Sequence, residues 1–186
     1  MVRDQLRATR DGVLQLLRAH AGEAWEPHEA AMVAATIAFV EAYPNCADRS
    51  LQVGHLTGSA WIVDTTRTQV LLTHHRKLGK WLQLGGHADG DLDLARVALR
   101  EAEEESGLKR LRFLSSQLFD VDRHWIPARR DEPAHWHYDL RFLLEGSLEE
   151  PLIVSSESKD LQWVKLSGIH QLTTEESIVR MVRKTA

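Results

Sequence analysis

With 186 residues, 43% hydrophobic and 27% charged, the chain has the balance of an ordinary globular domain and enough length to bury a sizeable core. A formal net charge of −4 leaves no basic footprint for nucleic acid, and the single cysteine, Cys46, excludes an internal disulfide framework and fits a reducing compartment. The first twenty residues are too charged for a signal peptide and no apolar run approaches the roughly 20 residues that cross a membrane, so the expectation is a soluble cytoplasmic protein with neither nucleic acid nor membrane as partner.

Residues 3–21 set Leu6, Val13, Leu16 and Leu17 near helical spacing, and Gly22 interrupts them. Pro27 suits a helix start, "HEAAMVAATIAFVEAY" continues it, and Pro44 and Asn45 end it. Residues 1–50 thus read as a helical N-terminal extension, a hairpin that would cover a pocket, brace the fold or form a homodimer interface. After Ser50, "VGHLTGSAWIVD" and "QVLLTHH" predict strands around a turn near Asp64–Thr68, and "KWLQLGG" a short strand ending in glycines. A helix is expected from about Leu92 to Ser106. "LRFLSSQLFDVD", "HWHYDLRFLLEG" and "LQWVKL" read as further strands. "TEESIVRMVRK" reads as a closing helix, acids first and bases last, as the helix dipole prefers. The class is α/β, a mixed sheet with helices packed on it.

The central helix works against itself. Asp91 or Asp93 can cap its start and Gly107 suits its exit, while Leu94, Val97, Ala98 and Ala102 supply an apolar stripe. Glu101, Glu104 and Glu105 stand at i, i+3 and i+4 on another face, where like charges repel by about 0.2–0.5 kcal/mol per pair. The negative end of the helix dipole adds roughly 0.3–1 kcal/mol against each acid. Arg100 is the one base in that turn. A solvated acidic face is one reading. A hard divalent cation, which takes carboxylate oxygens as ligands, is the other, and the Gly85–Gly86 pair upstream would bring backbone close to it.

At these residues the sequence resembles the Nudix hydrolases, whose box reads Gly, five residues, Glu, seven residues, then Arg-Glu-hydrophobic-x-Glu-Glu-x-Gly-hydrophobic. Gly86 opens the box and Arg100 to Leu108 closes it in register, but Leu92 stands where the family has its first Glu, with Asp89, Asp91 and Asp93 around it. The resemblance implies a Nudix-type α/β/α sandwich over residues 51–186. It also implies hydrolysis of a phosphoanhydride in a nucleoside diphosphate linked to another group, with Mg²⁺ or Mn²⁺. By carry-over, Glu101, Glu104, Glu105 and the Gly85 carbonyl hold metal, Arg100 orients an acid of the box, and Glu101 is the first choice of base. An isopentenyl diphosphate isomerase-like activity is an alternative, though it needs a cysteine beside the box. A non-catalytic Nudix-fold nucleotide-binding module is another, favoured by Leu92.

Further candidates come from polar runs. His74, His75, Arg76, Lys77 and Lys80 form a basic stretch that is either an exposed turn or a phosphate clamp, with Arg76 and Lys77 at its centre. His135, His137, Asp139 and Arg141 alternate on one strand, with Trp136, Tyr138 and Leu140 opposite. His137 and Asp139 are candidate pocket residues, and His-x-His also has metal spacing. His87 could reach a phosphate, and Glu157 is a candidate outer ligand or base. Trp61, Trp81 and Trp163 are expected in the core, and Trp125 and Trp136 are candidates for stacking a base.

Overall fold

Eleven consecutive buried residues, Gly54–Asp64, form the central strand β1. The computed structural model describes residues 8–23, 26–129 and 133–185, so the expected helical residues 3–7, Leu6 among them, lie outside the described residues. The other strands are β2 (Gln69–His75), β3 (Trp81–Leu82), β4 (Leu84–His87), β5 (Arg112–Phe113), β6 (Asp120–Ile126), β7 (His135–Gly146) and β8 (Ser158–Lys165). The helices are α1 (Arg10–Ala21), α2 (Pro27–Ala42), α3 (Leu94–Ser106) and α4 (Glu176–Thr185), with a 3-10 turn over Leu166–Gln171.

The strands make one mixed sheet. β1 runs parallel to β7 along its whole length, from Gly54 opposite Trp136 to Asp64 opposite Gly146. On its other edge β1 meets β4 through Thr57–Ala60 and β2 through Ile62–Val63, so two short partners split one edge. β8 covers β2, and β6 and β5 cover β7.

Because side chains alternate along a strand, β1 and β7 sort their residues between two faces. Leu56, Ala60 and Ile62 join Tyr138, Leu140, Phe142 and Leu144 in a core shared with Leu94, Val97 and Ala98 of α3 and Val13, Leu17, Val33 and Val40 of the N-terminal hairpin. Phe39 of α2 stacks on Tyr138 with ring centroids 3.9 Å apart, so the hairpin shares the core of the sheet. The opposite face is divided. Trp61 and Val63 pack with Ile178 and Met181 of α4, whereas His55, Thr57, Ser59, His137, Asp139 and Arg141 form a polar half.

Three local expectations change. The strand expected over 111–122 is two short pieces, because the Leu114–Phe119 stretch leaves the sheet as a loop and Leu118 turns into the core. "KWLQLGG" breaks at Gln83 into β3 on β2 and β4 on β1. α3 begins at Leu94 because Asp93 is its cap, accepting from the Arg96 amide. Leu92 precedes the helix and packs against the core.

Candidate active site

α3 meets β4 where β4 has no side chains. A Cβ on Gly86 would stand 2.3 Å from a Glu101 carboxylate oxygen, and one on Gly85 2.2 Å from the Ser59 hydroxyl. Gly86 therefore lets the Glu101 carboxylate reach the sheet, and Gly85 lets β4 lie close against Ser59 of β1. Gly107 closes the helix in the left-handed conformation, φ 77°, and its amide donates to the Glu103 carbonyl.

The acids that meet there are poorly neutralised. Glu105 is 8% exposed and accepts one hydrogen bond, 3.1 Å, from the Gly85 amide. Burial pushes its carboxyl up to about 7, and the charges of Glu101, Glu157 and Glu104 push the same way. Glu101 is also raised, chiefly by burial, although Arg100 Nη2 donates to its Oε1 at 2.8 Å. The same Arg100 nitrogen donates to the His87 carbonyl at 3.2 Å. Glu104 is exposed on the outer side of this group, and Glu157, exposed in the loop before β8, is near enough to raise both buried acids.

Two of the three aspartates around Leu92 are occupied elsewhere, and the third, Asp89, is exposed. Asp91 accepts two hydrogen bonds from the Arg96 guanidinium and one from the Asp93 amide, and Asp93 caps the helix. Asp89 takes a positive φ of 49° and its charge acts on Arg100.

Glu105, Gly85 and Gly86 form part of the wall of a 490 Å³ cavity, which His87, His137, Asp139 and Lys77 also line. Arg76 does not line it. Its guanidinium donates to the carbonyls of Ser156 and Ser158, which ties the turn after β2 to the loop before β8 and corrects the paired-clamp expectation. Asp139 reaches the wall with a carboxylate already spent. It accepts from the Thr57 and Ser59 hydroxyls, Gln83 Nε2 and Arg141 Nε, so it orders the wall instead of offering an oxygen to a ligand. Burial alone would raise Asp139, but Arg141 and His124 outweigh it and hold the group well below the usual range. Trp125 is 52% exposed on the cavity wall, edge-on to Trp136 with centroids 4.9 Å apart. Trp136 packs against the core, as do Trp81 and Trp163, while Trp61 is fully buried. Cys46 is fully buried in the main core and away from the cavity wall.

Arg141 belongs to a second charged cluster behind the cavity. Its Nη1 donates to Asp120 at 3.1 Å and its Nη2 lies 3.4 Å from Asp122. Arg180 donates to both Asp120 oxygens, at 2.7 and 2.8 Å, and Lys184 reaches Asp120 at 3.1 Å and also Glu29 of α2. Asp120, Asp122 and Asp139 thus face three cations, of which Lys184 is shared with Glu29.

The polar half of the face also gathers histidines. His55, His135 and His137 place ring nitrogens within 4.8 Å of one another, and His87 lies beside them. Burial and the neighbouring rings lower His55 to about 4 and His137 further, so both are neutral near pH 7. Sequence reasoning saw the His135/His137 pair but not His55. It also missed Arg49, Gln83 and Arg129 on the cavity wall, which come from three separate loops and carry no local pattern.

The NUDIX domain family matches residues 55–184, well over half of the chain. No curated protein matches it. Among solved structures, a NUDIX family hydrolase from Clostridium perfringens is 26% identical over 70% of this chain and 95% of its own, with TM-score 0.52. The binary complex of a C. elegans Ap4A hydrolase superposes with TM-score 0.56 at 16% identity, over 69% of this chain and 93% of its own. The E. coli dihydroneopterin triphosphate pyrophosphohydrolase superposes with TM-score 0.53 at 16% identity, over 69% and 92%.

Proposed function

This chain belongs to the Nudix hydrolase family and is a pyrophosphohydrolase of that fold, and from that premise we propose that it uses a divalent cation to cleave a phosphoanhydride bond in a nucleoside diphosphate linked to another group. The observation that carries the reading is the under-neutralised pair Glu101 and Glu105 on α3, of which Glu105 is buried at the wall of the 490 Å³ cavity. The donor set fits Mg²⁺ or Mn²⁺. It is all oxygen, it is crowded with negative charge, and glycines hold open the space beside it. Glu104, Glu105 and the Gly85 carbonyl would hold the ion, which when bound supplies charge neutralisation for the phosphates and a more acidic water.

The chain's own residues do the rest. Arg100 fixes one oxygen of Glu101 and leaves the other for the attacking water, whose proton Glu101 takes. A carboxyl raised by burial is better matched to that role near neutral pH than an ordinary glutamate. Lys77, Arg49 and Arg129 around the cavity bind the phosphates, and His87 adds a donor beside Arg100. Trp125 offers an exposed ring against which a base can stack. Glu157 is placed for an outer ligand.

The test is a screen of nucleotide sugars, dinucleoside polyphosphates, ADP-ribose, coenzyme A and nucleoside triphosphates with Mg²⁺ and with Mn²⁺. Turnover is expected with at least one, absent in EDTA, and lower by about 10²–10³-fold in Glu104→Gln and in Glu105→Gln. Full activity of both variants would remove α3 from the chemistry.

A further inference from the structure

Of the histidines gathered on the polar half of the sheet, His87 alone is used in the proposed hydrolysis, and His55, His135 and His137 are not. His55 on β1, His87 on β4, and His135 and His137 on β7 come together because the parallel β1–β7 register sets His55 opposite His137, and the β1–β4 register sets His87 opposite Thr57. Ring centroids lie 4.7 Å apart for His55–His137, 4.9 Å for His55–His135 and for His135–His137, and 5.0 Å for His87–His137.

His55 is 1% exposed, and neither of its ring nitrogens has a hydrogen-bond partner. An unsatisfied imidazole costs stability that an apolar side chain would not, so packing alone does not account for it. His135 is held differently. Its Nδ1 lies 2.8 Å from the Pro133 carbonyl, which keeps the ring proton on Nδ1 and leaves a lone pair on Nε2. That lone pair accepts a hydrogen bond from His137 Nε2 at 3.0 Å, a bond that an ion between the two rings would replace. A carbonyl behind a histidine, with its other nitrogen turned toward more imidazoles, is the arrangement that orients a metal ligand.

We propose that His55, His135 and His137 form a nitrogen-ligand site for a borderline divalent transition-metal ion of the Zn²⁺ class, separate from the carboxylate site of α3. Imidazole donors suit Zn²⁺, Co²⁺, Ni²⁺ and Cu²⁺ and disfavour Mg²⁺. Nitrogens bound tetrahedrally at about 2.0–2.1 Å lie about 3.4 Å apart, so closing the present spread onto an ion needs ring movements of about 1 Å. The ion would tie β1 to β7. His137 and His87 both line the cavity, so one side of the ion faces it, with His87 the nearest further donor. The neighbouring sites would then select different ions by ligand chemistry, oxygens for a hard cation and nitrogens for a softer one.

The experiment uses the full chain without a histidine tag, stripped with EDTA and titrated with Co²⁺ and then Zn²⁺. The expected result is one equivalent of Co²⁺ giving the intense visible absorption of four- or five-coordinate Co²⁺, displaced by one equivalent of Zn²⁺. Zn²⁺ at about a hundredfold of its dissociation constant should raise Tm by about 5–10 °C. The band should persist in the Glu104→Gln/Glu105→Gln variant and vanish in His135→Gln/His137→Gln with the circular dichroism unchanged. A wild-type spectrum showing only weak, octahedral Co²⁺ absorption would overturn the proposal. So would a band that survives loss of both histidines or disappears with the two glutamates. Should the double histidine variant not fold, the wild-type spectrum and single His135→Gln decide in the same way.

Discussion

Two groups of buried acids in this protein have opposite fates. Around Arg141, three aspartates are matched by Arg141, Arg180 and Lys184 within hydrogen-bonding reach, and the Asp120 and Asp139 carboxyls sit below the usual range because those cations outweigh the cost of burial. At the end of α3, Arg100 pairs with Glu101 while Glu105 has only the Gly85 amide, and burial drives both acids upward. Both groups are desolvated. They differ in whether the chain itself supplies the countercharge. A cluster that closes its own charge balance is structural, and one that leaves it open is built to receive a cation from outside.

The largest expected effect breaks the balanced side. Arg141→Met takes the guanidinium from buried Asp139 and leaves Asp120 and Asp122 to Arg180 and Lys184, and it is expected to cost about 3–5 kcal/mol, roughly 10 °C in Tm, measured by urea and thermal unfolding. Loss of under 1 kcal/mol would mean that the aspartates take up protons or water freely, and that the two clusters differ less than their geometry says.

Next comes pH, where the clusters should pull in opposite directions. Glu105 has a folded value of about 7 against an ordinary 4.5, so without metal it favours folding most below about pH 4.5 and loses that contribution as pH rises through 7. The span is about 3 kcal/mol at roughly 1.4 kcal/mol per pH unit. Asp120 and Asp139 are depressed, so their contribution is present above about pH 4 and lost in more acid solution. Urea unfolding in EDTA at pH 5.5 and 8 should show metal-free Glu105→Gln gaining on wild type at the higher pH, with Mg²⁺ or Mn²⁺ stabilising wild type only. A parallel pH dependence of the two proteins would sink the assignment of Glu105 as an uncompensated acid.

A smaller effect separates the two neighbours of the basic turn. Lys77→Ala is expected to raise KM about tenfold, equivalent to about 1.4 kcal/mol of phosphate binding. Arg76→Ala should leave KM unchanged and cost about 1 kcal/mol of stability through its lost carbonyl contacts. The reverse pattern in the kinetics would restore Arg76 as the clamp. The smallest effect belongs to Asp91→Asn, which loosens an exposed pair with Arg96 and should change stability by under about 1 kcal/mol with turnover intact.

Most elements were legible because their patterns are local. Pro27, Asp93 and Gly107 mark helix ends, and the run from His135 to Gly146 alternates as a strand does. The stretch 111–122 misled because a loop that buries Leu114, Leu118 and Phe119 in two cores has the apolar texture of a strand. The acidic end of α3 was visible for a similar reason, since its conflict lies within two turns. The rest of the cavity was not. Arg49, Gln83, Trp125 and Arg129 converge only through strand pairing, and Asp139, prominent in the pattern, has its oxygens claimed by residues up to 82 positions away.

That separation has a consequence for how the molecule is made. One edge of β1 finds β2 and β4 within a few dozen residues, but the other must wait for β7, 82 positions further along. At a synthesis rate of about 5–20 residues per second, the wait is on the order of 4–16 s. Throughout it, the segment containing Trp61, Ile62 and Val63 has an open backbone edge on the ribosome. Pairing of such long reach is slow to form and prone to the wrong partner, so the strand that organises the finished enzyme is also its most vulnerable segment during synthesis.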